Sequence, residues 1–156
     1  MPINTNPLAI LMTPWLIASF SGWMVAQLIK MMISLIRTRR LDFTYLVSTG
    51  GMPSAHSAMV SGLAASIGLT EGFDSPVAVL AAGFAAITMF DAAVVRRAAG
   101  QQARILNQMM RDIFVQHKFT AQPLRELLGH TRLEVFAGML TGITCAVLLW
   151  RWSLSQ

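Results

Sequence analysis

The stretch from Leu8 to Ile36, LAILMTPWLIASFSGWMVAQLIKMMISLI, is apolar along nearly its whole length. A bilayer core about 30 Å thick is crossed by about 20 apolar residues in a helix, so this stretch is long enough to tilt or to protrude. Charged residues make up 12% of the chain, whereas a soluble domain has about 25%. The sequence therefore predicts an integral membrane protein.

Three further apolar stretches follow, at about residues 53–69, 76–95 and 133–150, and the first of these is short and rich in Ala, Gly and Ser. Between the last two, Ile105, Met109 and Ile113 recur at helical spacing, which predicts an amphipathic helix over about residues 101–117. This helix would lie on the membrane or pack on the bundle. We predict one membrane domain over residues 1–156, an all-α bundle of about four transmembrane helices plus a cytoplasmic amphipathic helix.

Positive charge is concentrated in two of the three connections. Residues 1–29 contain no Lys or Arg, the first connection contains three Arg, and the third contains seven basic residues. Because basic loops stay in the cytoplasm, we expect a bacterial inner-membrane protein with both termini outside and these two connections inside. This distribution of the net charge of +5 argues against nucleic acid as a partner. Three tryptophans fall near the predicted outer ends: Trp15, Trp150 and Trp152.

Two basic residues lie at the inner end of the first span. Lys30 and Arg37 are seven residues apart, which is about two helical turns, so both are predicted on one helix face. In a structural interpretation, Lys30 extends its ammonium group to the interface and Arg37 anchors the span. In a functional interpretation, both cations bind an anion.

A second cluster is GGMPSAHS at residues 50–57. Gly51 and its neighbouring glycine make a flexible approach, and Pro53 suits the first turn of a helix. Free N–H groups at such a helix start bind anions, Ser54 adds a hydroxyl donor, and His56 can donate a proton. The alternative is an ordinary capped helix start with an interfacial histidine.

A third cluster is GHTRLE at residues 129–134. His130 and Glu134 are four residues apart, so one helix face can carry both, and a carboxylate beside an imidazole fixes its tautomer. Thr131 and Glu134 also form the pattern of a capping box. The structural and the catalytic roles of Glu134 can coexist.

Two other features of the spans have structural and functional interpretations. Asp91 falls inside the third span near its inner end, and a buried carboxylate in a membrane is usually paired, with Arg96, Arg97 or Lys30 as candidate partners. A purely structural ion pair is the alternative. Gly138-x-x-x-Gly142 predicts a helix contact, either within one bundle or between chains of a homo-oligomer.

Taken together, the three clusters place cations, a helix start, a hydroxyl and two histidines where the membrane meets water. Cations and N–H groups stabilise a phosphoryl group as its charge shifts. One histidine can attack phosphorus while the other protonates the leaving oxygen. No set of Cys, His and carboxylates has metal-ligand spacing, so we expect no metal and no other cofactor.

The sequence resembles the divergent branch of the type 2 phosphatidic acid phosphatase (PAP2) superfamily, which includes relatives of the vanadium haloperoxidases. The resemblance covers nearly the whole chain. It is most specific in STGGMPSAHSA at 48–58, in the segment from Asp91 through RRAAG at 96–100 to Asn107, and in LLGHTRLEV at 127–135.

The three signatures of that superfamily match in part. Lys30 and Arg37 have the spacing of the first signature, with Thr38 in place of its proline. The second, Pro-Ser-Gly-His, is present with Ala55 in place of glycine. In the third, His130 and Glu134 match with Glu in place of Asp, but Leu124 occupies the arginine position.

The resemblance implies roles for individual residues. His130 would be the nucleophile that forms a phosphohistidine, Glu134 would orient it, and His56 would be the general acid. The phosphate would be held by Lys30, Arg37, Ser54 and Arg96 or Arg97, with Gly51 and Asp91 in supporting positions. The site would be independent of metal and able to bind phosphate or vanadate.

The main functional hypothesis is a membrane phosphatase that acts on a lipid phosphate or pyrophosphate. Membrane lipids would be its partners, because a basic inner face favours anionic headgroups. Chemistry at that face suits phosphatidylglycerol phosphate or phosphatidic acid, with undecaprenyl pyrophosphate as an alternative. A second hypothesis is a non-catalytic protein that binds anionic lipids and regulates a partner or helps to move lipids. A third is vanadate-dependent halide oxidation.

Overall fold

The computed structural model describes residues 6–39, 51–114 and 129–155, and all of the regular elements in those ranges are helices. The side chains of Arg96, Arg97 and residues 112–114 lie outside this description. A short 3₁₀ helix, Pro7–Met12, precedes the first long helix. The long helices are α1 (Pro14–Thr38), α2 (Ala55–Glu71), α3 (Pro76–Phe90), α4 (Arg96–Phe114) and α5 (Arg132–Leu154).

Helix α1 begins later than the apolar stretch that predicts it. The expected start was near Leu8, but the chain is extended at Thr13 and the α-helix begins at Pro14. The residue before a proline disfavours helical backbone angles, and the Thr13 side chain accepts a hydrogen bond from the N–H of Leu16 at 3.4 Å. This pairing of an N-cap threonine with a proline at the first helical position therefore sets the start of α1.

Helices α3 and α4 are joined without a break. Between them, Asp91–Val95 form a π-helical turn, so one continuous helix replaces the predicted span and separate surface helix. A helix does cover most of residues 101–117, within α4. Its apolar side chains Ile105 and Met109 are exposed, whereas Asn107 is buried. Within the described part of the chain, the apolar side of α4 therefore does not pack on the bundle.

Within the described ranges, three helical segments are long and apolar enough to cross a membrane: Pro14–Thr38, Pro76–Arg111 and Arg132–Leu154. Helix α2 has 17 residues, which is fewer than the number of about 20 that usually spans the hydrocarbon core. The expectation of four spans is therefore met for three helices, and the crossing of α2 stays a prediction.

Helix α2 lies between the other helices and contacts α1, α3 and α5. Its contact with α5 is close because Gly138 and Gly142 face the backbone carbonyl oxygens of Ser54 and Ala58, where no Cβ would fit. Across the same contact, the Ser61 hydroxyl donates to the carbonyl of Met139 at 3.1 Å. The contact predicted from Gly138-x-x-x-Gly142 therefore lies within this chain.

The two ends of the bundle differ in chemistry. At one end, the indole N–H of Trp15 donates to the Thr70 hydroxyl at 2.6 Å, and Thr70, Trp150 and Trp152 line a small cavity. The other end contains the last turns of α1 and the starts of α2 and α5. All three sequence clusters with candidate chemistry meet at this second end.

Candidate active site

The start of α5 is fixed by a capping box. Thr131 has an extended backbone (φ −71°, ψ 156°), and the helix begins at Arg132. The Thr131 hydroxyl accepts a hydrogen bond from the N–H of Glu134 at 3.3 Å. In return, the N–H of Thr131 donates to Oε2 of Glu134 at 3.0 Å. The capping box predicted from residues 131 and 134 is confirmed.

His130 is held by the same carboxylate oxygen. Its Nδ1 lies 3.0 Å from Oε2 of Glu134, and the histidine is 2% exposed. The expected reason for this contact was wrong, because His130 precedes the helix and does not share a helix face with Glu134. The extended conformation of the cap residue Thr131 brings the two side chains together instead.

The hydrogen bond to Glu134 determines the state of the second ring nitrogen. An ionised carboxylate only accepts hydrogen bonds, so a neutral imidazole bonded to it carries its proton on Nδ1 and a lone pair on Nε2. Nε2 of His130 is buried, and no atom in the described ranges forms a hydrogen bond with it. Buried polar atoms are nearly always hydrogen-bonded, so this nitrogen is a candidate for contact with a ligand.

The start of α2 is also capped. Ser54 is fully buried, and its side-chain oxygen accepts from the N–H of Ser57 at 3.4 Å and from the Ser57 hydroxyl at 3.0 Å. The helix begins at Ala55, so the expectation that Pro53 lies in its first turn was wrong. The hydroxyl oxygen of Ser54 takes part in the cap, and phosphate binding by this residue stays a prediction.

The second and third clusters are linked directly through the backbone. The N–H of Ser54 donates to the carbonyl oxygen of Glu134 at 2.9 Å. This bond requires α2 and α5 to approach closely, which Gly138 permits, because a Cβ there would collide with the Ser54 carbonyl oxygen. The helix start at Ser54 and the histidine–carboxylate pair are therefore held in one arrangement.

A cavity of about 320 Å³ lies beside this arrangement, and Lys30, Arg37, Gly51 and Glu134 are among the residues that line it. Lys30 is 3% exposed, whereas Arg37 is exposed. The shared cavity agrees with the two-turn spacing of these cations. Lys30 and Glu134 also interact electrostatically, so the carboxylate that holds His130 belongs to the same charged group.

Gly51 supports the cavity through its backbone conformation. Its φ is +89°, in the region that favours glycine. A Cβ at this position would lie 3.9 Å from Cδ of Lys30, so the chain passes close to the buried lysine. The positive φ, rather than this ordinary van der Waals distance, gives a physical reason for a glycine immediately before the Met-Pro-Ser sequence.

Other predicted site residues lie elsewhere or outside the description. His56, the second residue of α2, is exposed and does not line the cavity in the described part of the chain. Asp91 was expected to be buried, but its side chain is exposed at the start of the π turn. The side chains of Arg96 and Arg97, the sequence 48–50 and the sequence 115–128 lie outside the described residues.

Some buried polar residues near the site had no assigned role in the sequence. Gln27 and Ser34 are buried on α1 together with Lys30, to which the sequence did assign a role, and the spacing of three and four residues places all three on one face. Ser57 is fully buried beside Ser54. Polar residues at helical spacing within an apolar stretch could have indicated these positions in the sequence, because buried polar groups in membrane segments are often functional.

No group of three or more His, Cys, Asp or Glu side chains that could hold a metal ion occurs among residues 6–39, 51–114 and 129–155. Among the described residues, the charged groups that line the cavity are two cations and a carboxylate. The carboxylate is hydrogen-bonded to the imidazole of His130, which is not itself a described lining residue. The lining groups can bind an anion, and the imidazole carries a nitrogen that can act as a nucleophile.

Comparisons with known proteins show which family the chain resembles. The sequence model of the Divergent PAP2 family matches residues 11–145. The uncharacterized membrane protein YuiD of Bacillus subtilis (strain 168) is 43% identical over 145 residues, which is 86% of this chain and 92% of YuiD. No solved structure matches the chain significantly. The chain therefore belongs to the Divergent PAP2 family.

Proposed function

We propose that this protein is a membrane phosphatase that hydrolyses a lipid phosphate or pyrophosphate through a phosphohistidine on His130. One observation carries the proposal: the imidazole of His130 is buried, its Nδ1 is bonded to Glu134, and its Nε2 has no hydrogen-bond partner among the described residues. A nucleophile oriented by a base or carboxylate in this way is a recurring feature of covalent catalysis. Membership of the Divergent PAP2 family supports it.

The proposed reaction has two steps. In the first, the lone pair on Nε2 of His130 attacks phosphorus, the P–O bond to the lipid breaks, and protonated His56 gives its proton to the leaving oxygen. In the second, neutral His56 takes a proton from water as the water oxygen attacks the phosphohistidine. The P–N bond then breaks, phosphate is released, and Nε2 regains its electron pair. Glu134 stabilises the positive charge that develops on the ring in the first step.

Substrate binding is assigned to the cavity beside His130. Lys30 and Arg37 line it and supply two positive charges, and charge-assisted hydrogen bonds to phosphate oxygens are stronger than neutral ones. Arg96 and Arg97, with Ser54, complete the proposed phosphate ligands. The two cations differ in exposure, so buried Lys30 is expected to contribute more to anion affinity than exposed Arg37.

The proposal includes an orientation in the membrane. We infer that the Lys30 end of the bundle faces the cytoplasm of a bacterial inner membrane, that both termini lie outside, and that α2 crosses as a fourth span enclosed by its neighbours. The concentration of basic residues in the first and third connections supports this orientation. A lipid substrate would then reach the site by lateral movement at the headgroup level.

The test is phosphate release by the purified protein in detergent. The panel contains phosphatidylglycerol phosphate, phosphatidic acid and undecaprenyl pyrophosphate, with His130→Gln as the variant and Trp15→Phe, at the other end of the bundle, as the control. We expect wild type and Trp15→Phe to release phosphate and His130→Gln to lose at least about 10³-fold in kcat. Activity on no substrate in the panel, or equal activity of wild type and His130→Gln, would contradict the proposal.

A second candidate function is binding of anionic lipids without turnover. The exposed position of His56 favours it, because the proposed proton donor is not among the described residues that line the cavity with Lys30 and Arg37. Vesicles that contain phosphatidic acid separate the two functions. A binding protein would bind them without phosphate release, would lose affinity in Lys30→Met, and would keep it in His130→Gln.

A further inference from the structure

The contact between His130 and Glu134 depends on the backbone conformation of Thr131. A spacing of four residues brings two side chains together when both lie in a helix, but His130 precedes α5, whose first residue is Arg132. Thr131 lies between them in an extended conformation, with φ −71° and ψ 156°. The geometry of this one residue therefore decides whether the imidazole reaches the carboxylate.

Thr131 holds Glu134 at two points. Its hydroxyl accepts from the Glu134 backbone N–H at 3.3 Å, and its own backbone N–H donates to Oε2 of Glu134 at 3.0 Å. The same Oε2 is also hydrogen-bonded to Nδ1 of His130, at 3.0 Å. The terminal torsion of a glutamate side chain is broadly distributed, so the second donor restricts an oxygen that a single bond to histidine would leave free to rotate.

We infer that Thr131 is a positioning residue for His130, which acts through Glu134 to keep the proton on Nδ1 and the lone pair on Nε2. Thr131 is itself exposed, so its side chain has no packing role in the core that would explain its contacts. The inference deepens the proposed function and rests on it for the catalytic consequence. The effect on the imidazole can be measured independently of any activity.

The variants are Thr131→Ala, which removes the hydroxyl acceptor, and Thr131→Ser, which keeps it. The chain also offers a matched control. Thr13 caps α1 by accepting from the N–H of Leu16, the same third helical position that Glu134 occupies in α5, so Thr13→Ala removes an equivalent cap far from His130. All of the variants are made in the full-length protein and purified in detergent.

The first measurement is the ¹⁵N NMR spectrum of histidine-labelled protein, with the His130 signals assigned from their loss in His130→Gln. In wild type, Thr131→Ser and Thr13→Ala, we expect His130 to carry its proton on Nδ1. In Thr131→Ala, we expect a mixture of the two tautomers. A wild-type pattern in Thr131→Ala would overturn the inference, as would the same mixture in Thr13→Ala.

The second measurement is kinetic. Loss of a group that orients a reacting residue through another residue costs about tenfold or more in activity, so Thr131→Ala should lower kcat by about tenfold with little change in KM. Thr131→Ser should restore it. If the wild type is inactive but the tautomer of His130 still depends on Thr131, only the proposed function is contradicted. If the wild type is active and Thr131→Ala leaves kcat unchanged, only the positioning role is contradicted.

Discussion

The starts of α2 and α5 each combine a capping residue with a histidine, but the histidines lie on opposite sides of their caps. At α5, His130 comes one residue before the cap Thr131 and is 2% exposed. At α2, His56 comes two residues after the cap Ser54 and is exposed. One backbone hydrogen bond, from Ser54 to the carbonyl of Glu134, joins the two starts.

This difference matches the two tasks that the proposed reaction requires. A nucleophile needs a fixed orientation and an unprotonated nitrogen, which burial and the bond to Glu134 provide for His130. A proton donor must recover its proton from water in each cycle, which exposure permits for His56. The comparison can be tested by removing, in turn, the features that make the two helix starts unequal.

The largest effect is expected when Glu134, which accepts the hydrogen bond from Nδ1 of His130, is changed. Glu134→Gln keeps the shape of the side chain but replaces a charged acceptor by an amide, so the tautomer of His130 is no longer fixed. In the Ser-His-Asp triad, the same kind of change lowers kcat by about 10⁴-fold, and we expect a loss of that order in phosphate release. A loss smaller than about tenfold would show that Glu134 serves only as a cap.

Removal of the exposed histidine should have an effect that depends on the leaving group. His56→Gln is expected to lower kcat by about 10²–10⁴-fold for an alkyl phosphate, the usual contribution of a general acid. For an aryl phosphate such as p-nitrophenyl phosphate, the leaving oxygen needs no proton, and the loss should be much smaller. Equal losses with both substrates would contradict the assignment of His56 as the acid.

A substitution that pushes the starts of α2 and α5 apart should lower the stability of the protein. In Gly138→Ala, the added methyl group would collide with the carbonyl of Ser54 and with Ser57, which is expected to lower the free energy of unfolding by about 1–3 kcal/mol. Gly83→Ala is the control, because no neighbouring atom of the described residues lies within 4 Å of a Cβ there. Unfolding of both variants is followed by circular dichroism in mixed micelles, and equal stability of the two would contradict the close contact.

The smallest effect is expected from removal of the side-chain cap of α2. Ser54→Ala removes the acceptor of the Ser57 N–H and should lower the free energy of unfolding by about 1 kcal/mol. Ser75→Ala, which removes the cap of α3, should cost a similar amount. Only Ser54→Ala should also reduce phosphate release, since the hydroxyl of Ser54, unlike that of Ser75, is a proposed phosphate ligand. A reduction of phosphate release by Ser75→Ala would contradict that local role.

Several features could be predicted from the sequence because they depend on local chemistry. The apolar stretches predicted the long helices, since length and hydropathy alone decide whether a segment can cross a bilayer. The capping box at Thr131 and Glu134 was predicted because both of its bonds are formed within four residues. Lys30 and Arg37 line one cavity because both lie on a regular helix.

Other features could not be predicted because one pattern fits two geometries. A spacing of four residues between His130 and Glu134 fits a helix face and also an extended helix cap, and the extended cap is what occurs. The π turn that joins α3 to α4 has no compositional signal, so one long helix was divided into two. The start of α1 at Pro14 did have a signal, in Thr13 and the proline itself.

The close contacts of α2 have a consequence for how the protein is made. Helix α2 has 17 residues, and its glycine and serine contacts are with α1 before it and α5 after it. Residues 132–154 are synthesised after α2, α3 and α4, so the partner of Ser54, Ala58 and Ser61 does not exist when α2 is made. Assembly of the bundle around α2 therefore waits for α5, and truncations upstream of α5 should leave α2 without this neighbour.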